Sequence, residues 1–298
     1  SFNEGWALQE TLPALQKQNY THWELVVIDS GSTDGSVELI TKFCPRHFIR
    51  IQPHEYNPAR VLNLGMTLSC AEIGIFLNAN ATPQGPNWLR PLVAALAPAD
   101  VAAVFGRQIP RPDCQAVFAH DYERCFGPRR ESVRWPHFFS MASSGLRRSV
   151  WNQRAFNEHL QYSEYDEYTR WCVSRGFRIA YVRDSVVMHS HNYTPAQVQR
   201  RCFGEGKALA AVWPDATMNW HWSRSVFLGW ANDARRDLAF CLRTPRLREW
   251  PRAVRIPWTQ RQARFAGFRD GWNEFRANGN HPSALPPVWA RSDDPVRS

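Results

Sequence analysis

The sequence predicts an α/β protein in which a mostly parallel sheet is flanked by helices and followed by a helical and irregular C-terminal appendage. Short apolar runs alternate with segments of helical periodicity through the first two-thirds of the 298 residues. Two of these runs, residues 24–29 and 73–77, end in polar side chains, as buried parallel strands do at their carboxyl ends. The hydrophobic content of 44% is that of a globular protein with a core.

In the first half of the chain, helices and strands are predicted in alternation. We expect helices over residues 7–18, 36–43, 59–69 and 88–97, and strands over residues 24–29, 47–51, 73–77 and 101–109. Leucines at helical spacing support the first helix, and the turn of residues 30–35 caps the second. Continuous apolar runs support the strands. This alternation is typical of parallel strands joined by right-handed crossovers.

The pattern loosens beyond residue 111. We expect a helix with an acidic start over residues 163–175, one or two strands over 178–189, and a helix over 194–213. Thr194 as N-cap and Pro195 at the first helical position support the last of these. Prolines punctuate the remainder, which predicts short helices and irregular chain. The predicted organisation is a main domain over residues 1–213 and a basic appendage over residues 214–298.

The net charge of +9 is concentrated near the C-terminus. Residues 221–298 hold 14 Arg and no Lys against seven acidic residues, and six Trp lie among them. Arg interleaved with Trp suits an anionic membrane surface, where rings sit at headgroup depth and guanidiniums meet phosphates. An ordinary solvated surface over core tryptophans is the alternative. The same composition would suit nucleic acid, but we expect no nucleic-acid partner.

The cysteines indicate a reducing compartment. There are seven, an odd number without CxxC pairs, so neither a disulfide framework nor a zinc knuckle is predicted. The sequence shows no apolar run of about 18 residues and no signal-peptide pattern, so we expect no transmembrane helix and no leader. We therefore expect a cytoplasmic protein, peripheral to the inner face of the plasma membrane.

Two asparagines, Asn78 and Asn80, follow the strand of residues 73–77. Two short polar side chains separated by one residue point the same way from an extended backbone. Two aspartates in this arrangement would form a site for a hard cation, whereas an amide oxygen ligates such an ion without contributing negative charge. The pattern therefore has the form of a metal site that lacks the charge.

Five segments have the form of sequence motifs: residues 1–5 (SFNEG), 26–35 (VVIDSGSTDG), 55–65 (EYNPARVLNLG), 78–83 (NANATP) and 187–194 (VMHSHNYT). Together they resemble the motifs of the family-2 glycosyltransferases, in particular their bacterial rhamnosyltransferase-like branch. The motifs occur in the order the family has them, and the resemblance covers roughly residues 1–213. It implies a GT-A fold, with a Rossmann-like nucleotide half joined to an acceptor half. The family's apolar first strand, which normally precedes the first motif, has no counterpart here.

The resemblance implies a donor site built from the first loop and two strand ends. The implied donor-binding residues are Asn3, Glu4, Asp29, Arg60, Asn78 and Asn80. Asp29 would accept hydrogen bonds from the base or ribose, although capping the turn that follows is an alternative. Arg60 would meet a phosphate through two parallel hydrogen bonds.

A divalent cation, Mg²⁺ or Mn²⁺, is also implied beside the diphosphate. Asn80 stands where the family carries an aspartate that holds the ion, and His189 matches a late histidine that contacts metal or diphosphate. Because Asn80 brings no charge, we expect a weakly held ion, bound mainly through the nucleotide's own phosphates. A purely structural role is the alternative for His189.

The position of the family's catalytic base differs as well. The family begins a helix with Glu-Asp, and the register here gives Glu164 and Tyr165. A tyrosine with an ordinary pKa of about 10 is a poor base, so Glu164 or Asp166 would take the proton. An exposed acidic first turn, favoured by the helix dipole, is the alternative. Three further residues are predicted to contact substrate because they lie where the family lines the floor between donor and acceptor: Ser143, Ser144 and Gly145.

Two hypotheses about function remain open. The first is an inverting glycosyltransferase of the hexosyltransferase type. It would move a sugar from a nucleotide-diphospho-sugar, dTDP-rhamnose on the branch resemblance, to a hydroxyl of a lipid-linked or other cell-surface glycan precursor. The second is a catalytically degenerate GT-A-like scaffold that binds nucleotide or glycan, because the metal and base positions are both changed.

Overall fold

The structure, a computed structural model, describes residues 1–135, 138–212 and 221–277. These residues form two compact units. The first comprises Ser1–Arg111, Arg124–Glu158 and Glu164–Ser190, and the second comprises Pro112–Glu123, His159–Ser163 and the described residues from His191 onward. The boundary expected after residue 213 lies outside the described residues and stays a prediction.

The first unit begins with a small parallel sheet and three helices. These elements are α1 (Gly5–Gln16), β1 (Val26–Asp29), α2 (Ser36–Phe43), β2 (His47–Arg50) and α3 (Pro58–Leu68), and β1 pairs in parallel with β2. Leu8 and Leu12 of α1 share an apolar cluster with Ile40 of α2. At the start of α3, Asn57 accepts the backbone N–H of Arg60 at 2.9 Å, as an N-cap does.

A five-stranded mixed sheet forms the centre of the first unit. Its strands are β3 (Ile73–Leu77), β4 (Thr82–Pro83), β5 (Val101–Ile109), β6 (Ser143–Arg147) and β7 (Arg178–Met188), in the spatial order β3-β6-β5-β7-β4. β5 and β7 are parallel, β6 is antiparallel to both β3 and β5, and β4 is antiparallel to β7. Strands β3, β5 and β7 therefore run in one direction and end at the same edge of the sheet.

A helix of the first unit covers this sheet with apolar side chains. In chain order, the further helices up to β7 are α4 (Leu89–Ala95), α5 (Ala116–Phe126), α6 (Arg148–Trp151) and α7 (Glu164–Ser174), and most of α5 belongs to the second unit. Leu92 of α4 is fully buried in a cluster that also contains Val104 of β5 and Val187 of β7. Burying such side chains contributes about 1.5–3 kcal/mol each, which fixes the helix against the strands.

The predicted α/β fold class is confirmed, with two corrections to the predicted mostly parallel sheet: β1 and β2 form a sheet of their own, and the central sheet is mixed. The sequence predicts four strands joined as parallel neighbours, whereas β6 lies between β3 and β5 and runs against them. β6 escapes prediction because Ser143–Arg147 holds a single large apolar residue, Leu146, and shows neither an apolar run nor alternation.

The second unit is built from long helices. They are α8 (Pro195–Val212), a π-helical turn over Ser223–Leu228, α9 (Gly229–Arg243) and α10 (Trp250–Ala277). The expectation of only short helices and irregular chain is wrong here, because α10 has 28 residues. Pro251 lies in its first turn, where a backbone N–H needs no helical partner, and Pro257 is accommodated farther along. None of the helices in the described ranges is long and apolar enough to cross a membrane.

Glycines allow α8 and α10 to approach closely. A methyl group on Gly206 would lie 2.2 Å from the carbonyl oxygen of Arg264, and one on Gly267 would lie 2.0 Å from that of Phe203. A methyl group on Gly271 would lie 2.5 Å from the carbonyl oxygen of Lys207. The two backbones are therefore nearer to each other than any larger side chain at these positions permits.

We expect Gly267→Ala to lower the free energy of unfolding by about 1–3 kcal/mol, because the added methyl overlaps the Phe203 carbonyl. Gly65→Ala in α3 is the matched control, since its nearest neighbour is 3.9 Å away. Alanine there should be neutral or stabilising by about 0.5–1 kcal/mol. Urea unfolding followed by far-UV circular dichroism measures both, and unchanged stability of Gly267→Ala would contradict the close helix contact.

Candidate functional site

The first loop of the chain is tied to the turn that follows β1. Asn3 has a φ of +50°, and its side-chain oxygen accepts the backbone N–H of Thr33 at 2.9 Å. The Asn3 N–H donates to the hydroxyl of Ser32 at 2.8 Å, and the Glu4 N–H donates to the hydroxyl of Ser36 at 3.1 Å. Asn3 and Glu4 therefore lie beside the end of β1, where the sequence predicts the donor.

Asp29, at the end of β1, holds that turn in place. Its buried carboxylate accepts the backbone N–H groups of Gly31 at 3.1 Å and Ser32 at 2.9 Å, and the Ser32 hydroxyl at 2.5 Å. Arg50 Nε lies 3.8 Å from the same carboxylate. The turn-capping alternative is what the structure shows, and direct contact of Asp29 with the base or ribose stays a prediction.

Asn80 lies in a tight turn after β3 and contacts Glu4. Its side chain is buried, whereas Asn78 is exposed, and the carbonyl of Asn78 accepts the N–H of Ala81 at 2.9 Å. The NH₂ group of Asn80 donates to Glu4 Oε1 at 2.9 Å. Burial raises the pKa of Glu4 above its usual value. The amide thus presents a donor to a carboxylate, where an aspartate would present a second negative charge.

Arg111 contacts the other side of this turn. Its Nη2 donates to the backbone carbonyl of Asn80 at 3.1 Å and to the hydroxyl of Thr82 at 3.0 Å. Its Nη1 pairs with Glu10 Oε2 at 3.1 Å, and the Trp6 ring lies 4.6 Å from its guanidinium carbon. The Arg111 side chain is only 9% exposed. A full positive charge is therefore held directly against Asn80.

His189 follows β7 and is oriented by a neighbouring amide. Its backbone N–H donates to the carbonyl of Ile109 at 2.9 Å, and its ring Nδ1 lies 2.8 Å from Gln108 Oε1. The Gln108 NH₂ group donates to the Ser140 hydroxyl at 2.6 Å. Because Gln108 Oε1 only accepts, Nδ1 carries the proton, which leaves Nε2 as the basic nitrogen of the neutral ring.

The side chains around Asn80 do not form a resident metal site. The side-chain NH₂ group of Asn80 donates to Glu4. The backbone carbonyl of Asn80 accepts a hydrogen bond from the Arg111 guanidinium. Among the described residues, no group of three or more His, Cys, Asp or Glu is arranged to hold an ion. The expectation that any divalent cation would be held mainly by the phosphates of the nucleotide stays a prediction.

The predicted base lies at the start of α7. Glu164, the first helical residue, is buried, and Tyr165 and Asp166 are half-buried. The carbonyls of Tyr165 and Asp166 both accept the Thr169 hydroxyl, at 2.9 and 3.2 Å. An exposed acidic turn therefore does not describe Glu164. The choice between Glu164 and Asp166 as base stays open.

The three residues predicted to line the floor are buried in β6. Ser143 accepts a hydrogen bond from the Trp88 indole N–H at 2.9 Å, and the Ser144 hydroxyl donates to the Met141 carbonyl at 3.3 Å. Both serine side chains have no exposed surface, and Gly145 lies within the same strand. Their burial favours a structural role, and substrate contact by these residues stays a prediction.

Arg60 is engaged in a surface ion pair. Its Nε lies 3.4 Å from Glu158 Oε2, and its side chain is about half exposed, at 52%. The other Glu158 oxygen accepts from the Asn63 amide at 3.0 Å. A phosphate contact by Arg60 stays a prediction.

Sequence reasoning missed two residues of the site, Gln108 and Arg111. Both could have been predicted, because they lie at or just beyond the end of β5. This strand was predicted with its observed bounds of Val101–Ile109. The rule that polar residues at carboxyl strand ends meet at one edge was applied to Asn78 and Asn80 but not to this strand.

We expect neutral His189 to carry its proton on Nδ1, because Gln108 Oε1 accepts there. Two-dimensional ¹⁵N NMR of the imidazole nitrogens distinguishes the two tautomers. Gln108→Leu removes the acceptor and should increase the Nε2–H population. An Nε2–H tautomer in the unmodified chain would contradict the orientation described here.

Two curated rhamnosyltransferases are similar to the chain in sequence. It is 29% identical over 219 residues to the O-antigen chain rhamnosyltransferase RfbN of Salmonella typhimurium, a match that covers 69% of each chain. It is also 29% identical over 218 residues to the O-antigen chain rhamnosyltransferase WbaN of Salmonella anatum, again over 69% of each chain.

Solved structures and a family profile agree with this likeness. The mannosyltransferase PcManGT from Pyrobaculum calidifontis, solved in complex with GDP-Man and Mn²⁺, is similar in fold, with a TM-score of 0.57 and 18% identity. The match covers 95% of this chain and 75% of that one, and it confirms the predicted GT-A fold class. Residues 1–159, more than half of the chain, match the family described as Glycosyl transferase family 2. The chain therefore belongs to glycosyl transferase family 2.

Proposed function

We propose that this glycosyltransferase moves a rhamnosyl group from dTDP-rhamnose to a hydroxyl of a lipid-linked cell-surface glycan precursor, with inversion at the anomeric carbon. The observation that carries the proposal is the cluster of Glu4, Asn80 and Arg111, which lies at the strand ends where this fold class binds its ligand. Two relatives named as O-antigen chain rhamnosyltransferases, each 29% identical over 69% of the chain, support the choice of sugar.

The proposed reaction is a single displacement. The acceptor oxygen forms a bond to the anomeric carbon as the bond from that carbon to the diphosphate oxygen breaks, and the nucleoside diphosphate leaves with the bonding electrons. The acceptor proton passes to a carboxylate at the start of α7, Glu164 or Asp166. General-base catalysis of this kind contributes about 10²–10⁴-fold to a rate.

The residues of the first loop and of the turn after β1 would hold the nucleotide. Asn3 is fixed by hydrogen bonds to that turn, and Asp29 fixes the turn from inside. Asp29 thereby acts on the donor through the backbone of residues 30–32 in addition to any direct contact. His189, with its basic Nε2, is positioned to accept from the donor or to face a cation that accompanies it.

The degenerate-scaffold alternative rests on Tyr165. It occupies the register of the family's base, and its ring lies 6.5 Å from that of Phe139, half-buried among aromatic side chains. A scaffold of this kind would bind the nucleotide but release no nucleoside diphosphate when an acceptor is supplied. An activity assay therefore separates the two hypotheses.

We expect the purified full chain to release dTDP from dTDP-rhamnose when lipid-linked saccharide acceptors are present, and to use UDP-glucose and GDP-mannose poorly. One of Glu164→Gln and Asp166→Asn should lower kcat by about 10²-fold or more with little change in KM, because it removes the base. Asp100→Asn, which changes an exposed surface carboxylate, is the control.

Three results would count against this account. Release of dTDP that is unaffected by both substitutions would exclude a base at the start of α7. A product that retains the donor's anomeric configuration, read by NMR, would exclude the single displacement. Binding of dTDP-rhamnose without turnover on any acceptor would favour the scaffold.

The second unit would hold the protein on an anionic membrane surface at the inner face of the plasma membrane. Several large apolar side chains in it are exposed: Trp222, Phe227, Leu228, Leu242, Leu247 and Trp250. Exposed arginines lie among them in sequence, including Arg235, Arg243 and Arg248. Exposed apolar groups beside cations are the features that bind a surface rich in anionic lipid headgroups.

We expect the chain to co-sediment with vesicles that contain phosphatidylglycerol and not with vesicles of phosphatidylcholine alone. Phe227→Ser combined with Leu228→Ser should weaken the association roughly threefold or more, because two exposed apolar side chains are lost. Val133→Ser changes an equally exposed residue of the first unit and serves as the matched control. Equal recovery with both kinds of vesicle would contradict the proposal.

A further inference from the structure

We infer that Arg111 supplies the positive charge that stabilises the leaving diphosphate, at the place where a family member with an aspartate at position 80 would hold a divalent cation. This inference rests on the proposed function, because it concerns the same donor site. It assigns a diphosphate-binding role to a residue that lies outside all five motifs of the sequence resemblance.

The guanidinium of Arg111 lies against the turn that contains Asn80. Arg111 donates to the backbone carbonyl of Asn80 and to the hydroxyl of Thr82, so its charge lies within about one hydrogen bond of the turn that should face the diphosphate. Its backbone N–H donates to Ser190 Oγ at 3.0 Å, next to His189. Arg111 therefore joins the ends of β3, β5 and β7.

One N–H donor of the Arg111 guanidinium lacks an acceptor within the described part of the chain. A guanidinium has five N–H groups, and those of Nη1 and Nη2 contact Glu10, Asn80 and Thr82. Nε is buried and, within the described part of the chain, has no hydrogen-bond partner. A buried donor of a cation that lacks an acceptor is costly, and a bound anionic oxygen would remove that cost.

The side chain of Glu10, the ion-pair partner of Arg111, is 54% exposed, so water screens that pair. Glu4 is nearby, but its carboxylate already accepts a hydrogen bond from the side-chain NH₂ group of Asn80. A nearly buried arginine favours a strong anion beside it, and here the ligand supplies that anion. A diphosphate has the required charge and oxygen geometry.

A divalent cation beside Asn80 would lie close to the Arg111 guanidinium, and like charges in a partly buried site repel strongly. An aspartate at position 80 would offset that repulsion, whereas the asparagine present does not. The neutral side chain of Asn80 and the positive charge of Arg111 therefore both disfavour a divalent cation at this position.

Calorimetric titration of the full chain with dTDP and with thymidine, each in EDTA and in Mn²⁺, tests the inference. We expect dTDP to bind with the same affinity, within about threefold, in both conditions. Arg111→Met should weaken dTDP binding by about 30-fold and leave thymidine binding unchanged, since a charge-assisted hydrogen bond is lost only for the diphosphate. Arg90→Met, at an exposed arginine of α4, is the matched control.

Each result decides a different point. Binding of dTDP only in Mn²⁺, or Arg111→Met binding dTDP as tightly as the unmodified chain, would overturn the inference while leaving the proposed function intact. Failure of dTDP, UDP and GDP to bind under either condition would overturn both. If Arg111→Met does not fold, Arg111→Lys keeps the charge without the planar donor pair, and we then expect about tenfold weaker dTDP binding with thymidine unchanged.

Discussion

The arrangement of the site depends on Asn80, whose side chain contacts a carboxylate and whose backbone carbonyl contacts a guanidinium. Its side-chain NH₂ group donates to Glu4, and its backbone carbonyl accepts from Arg111. The neutral side-chain amide suits Glu4 because it offers a donor to the carboxylate, whereas the acceptor for the guanidinium is the backbone carbonyl, which any residue at this position supplies. A carboxylate at the same position would face Glu4 with a like charge. The loss of charge noticed in the sequence is therefore one half of a local arrangement whose other half is a fixed cation.

The fold brings these groups together through the directions of its strands. β3, β5 and β7 run the same way, so the turn of Asn80, the segment that leads to Arg111, and His189 all emerge at one edge. The start of α1 is tied to the turn after β1, which carries Glu4 to the same place. Residues that are distant in sequence thus form one polar cluster.

Much of the fold could be predicted because its elements carry strong local signals. The apolar run of β5 and the helix of α2 were predicted with their observed bounds, and β1, β2 and β3 to within about two residues, whereas the two-residue strand β4 was not predicted. β6 could not be predicted, because its sequence has neither an apolar run nor alternation and its Ser143 is hydrogen-bonded to the distant Trp88. α10 was misread because Pro251 and Pro257 were taken as helix breakers, although one of them lies in the first turn.

The candidate site was predictable to the extent that motifs mark strand ends. Asn3, Glu4, Asn80 and His189 were predicted from these motifs; the structure shows Glu4 in contact with Asn80, and the roles of all four toward a donor stay predictions. The mutual arrangement was not predictable, because the partner of Asn80 is fixed by packing over a separation of 76 residues. Arg111 lies just beyond the end of β5, so its place at this edge of the sheet was predictable, but its contact with Asn80 was not.

The central claim is that this chain binds a nucleoside diphosphate with Arg111 in the role of a cation. A crystal structure of the full chain with dTDP, grown in EDTA, tests it most directly. The account predicts a diphosphate oxygen about 3 Å from a guanidinium nitrogen of Arg111, with the Asn80–Glu4 hydrogen bond retained. A diphosphate bound elsewhere, or one seen at the site only when Mn²⁺ is added and ligated by Asn80, would contradict it.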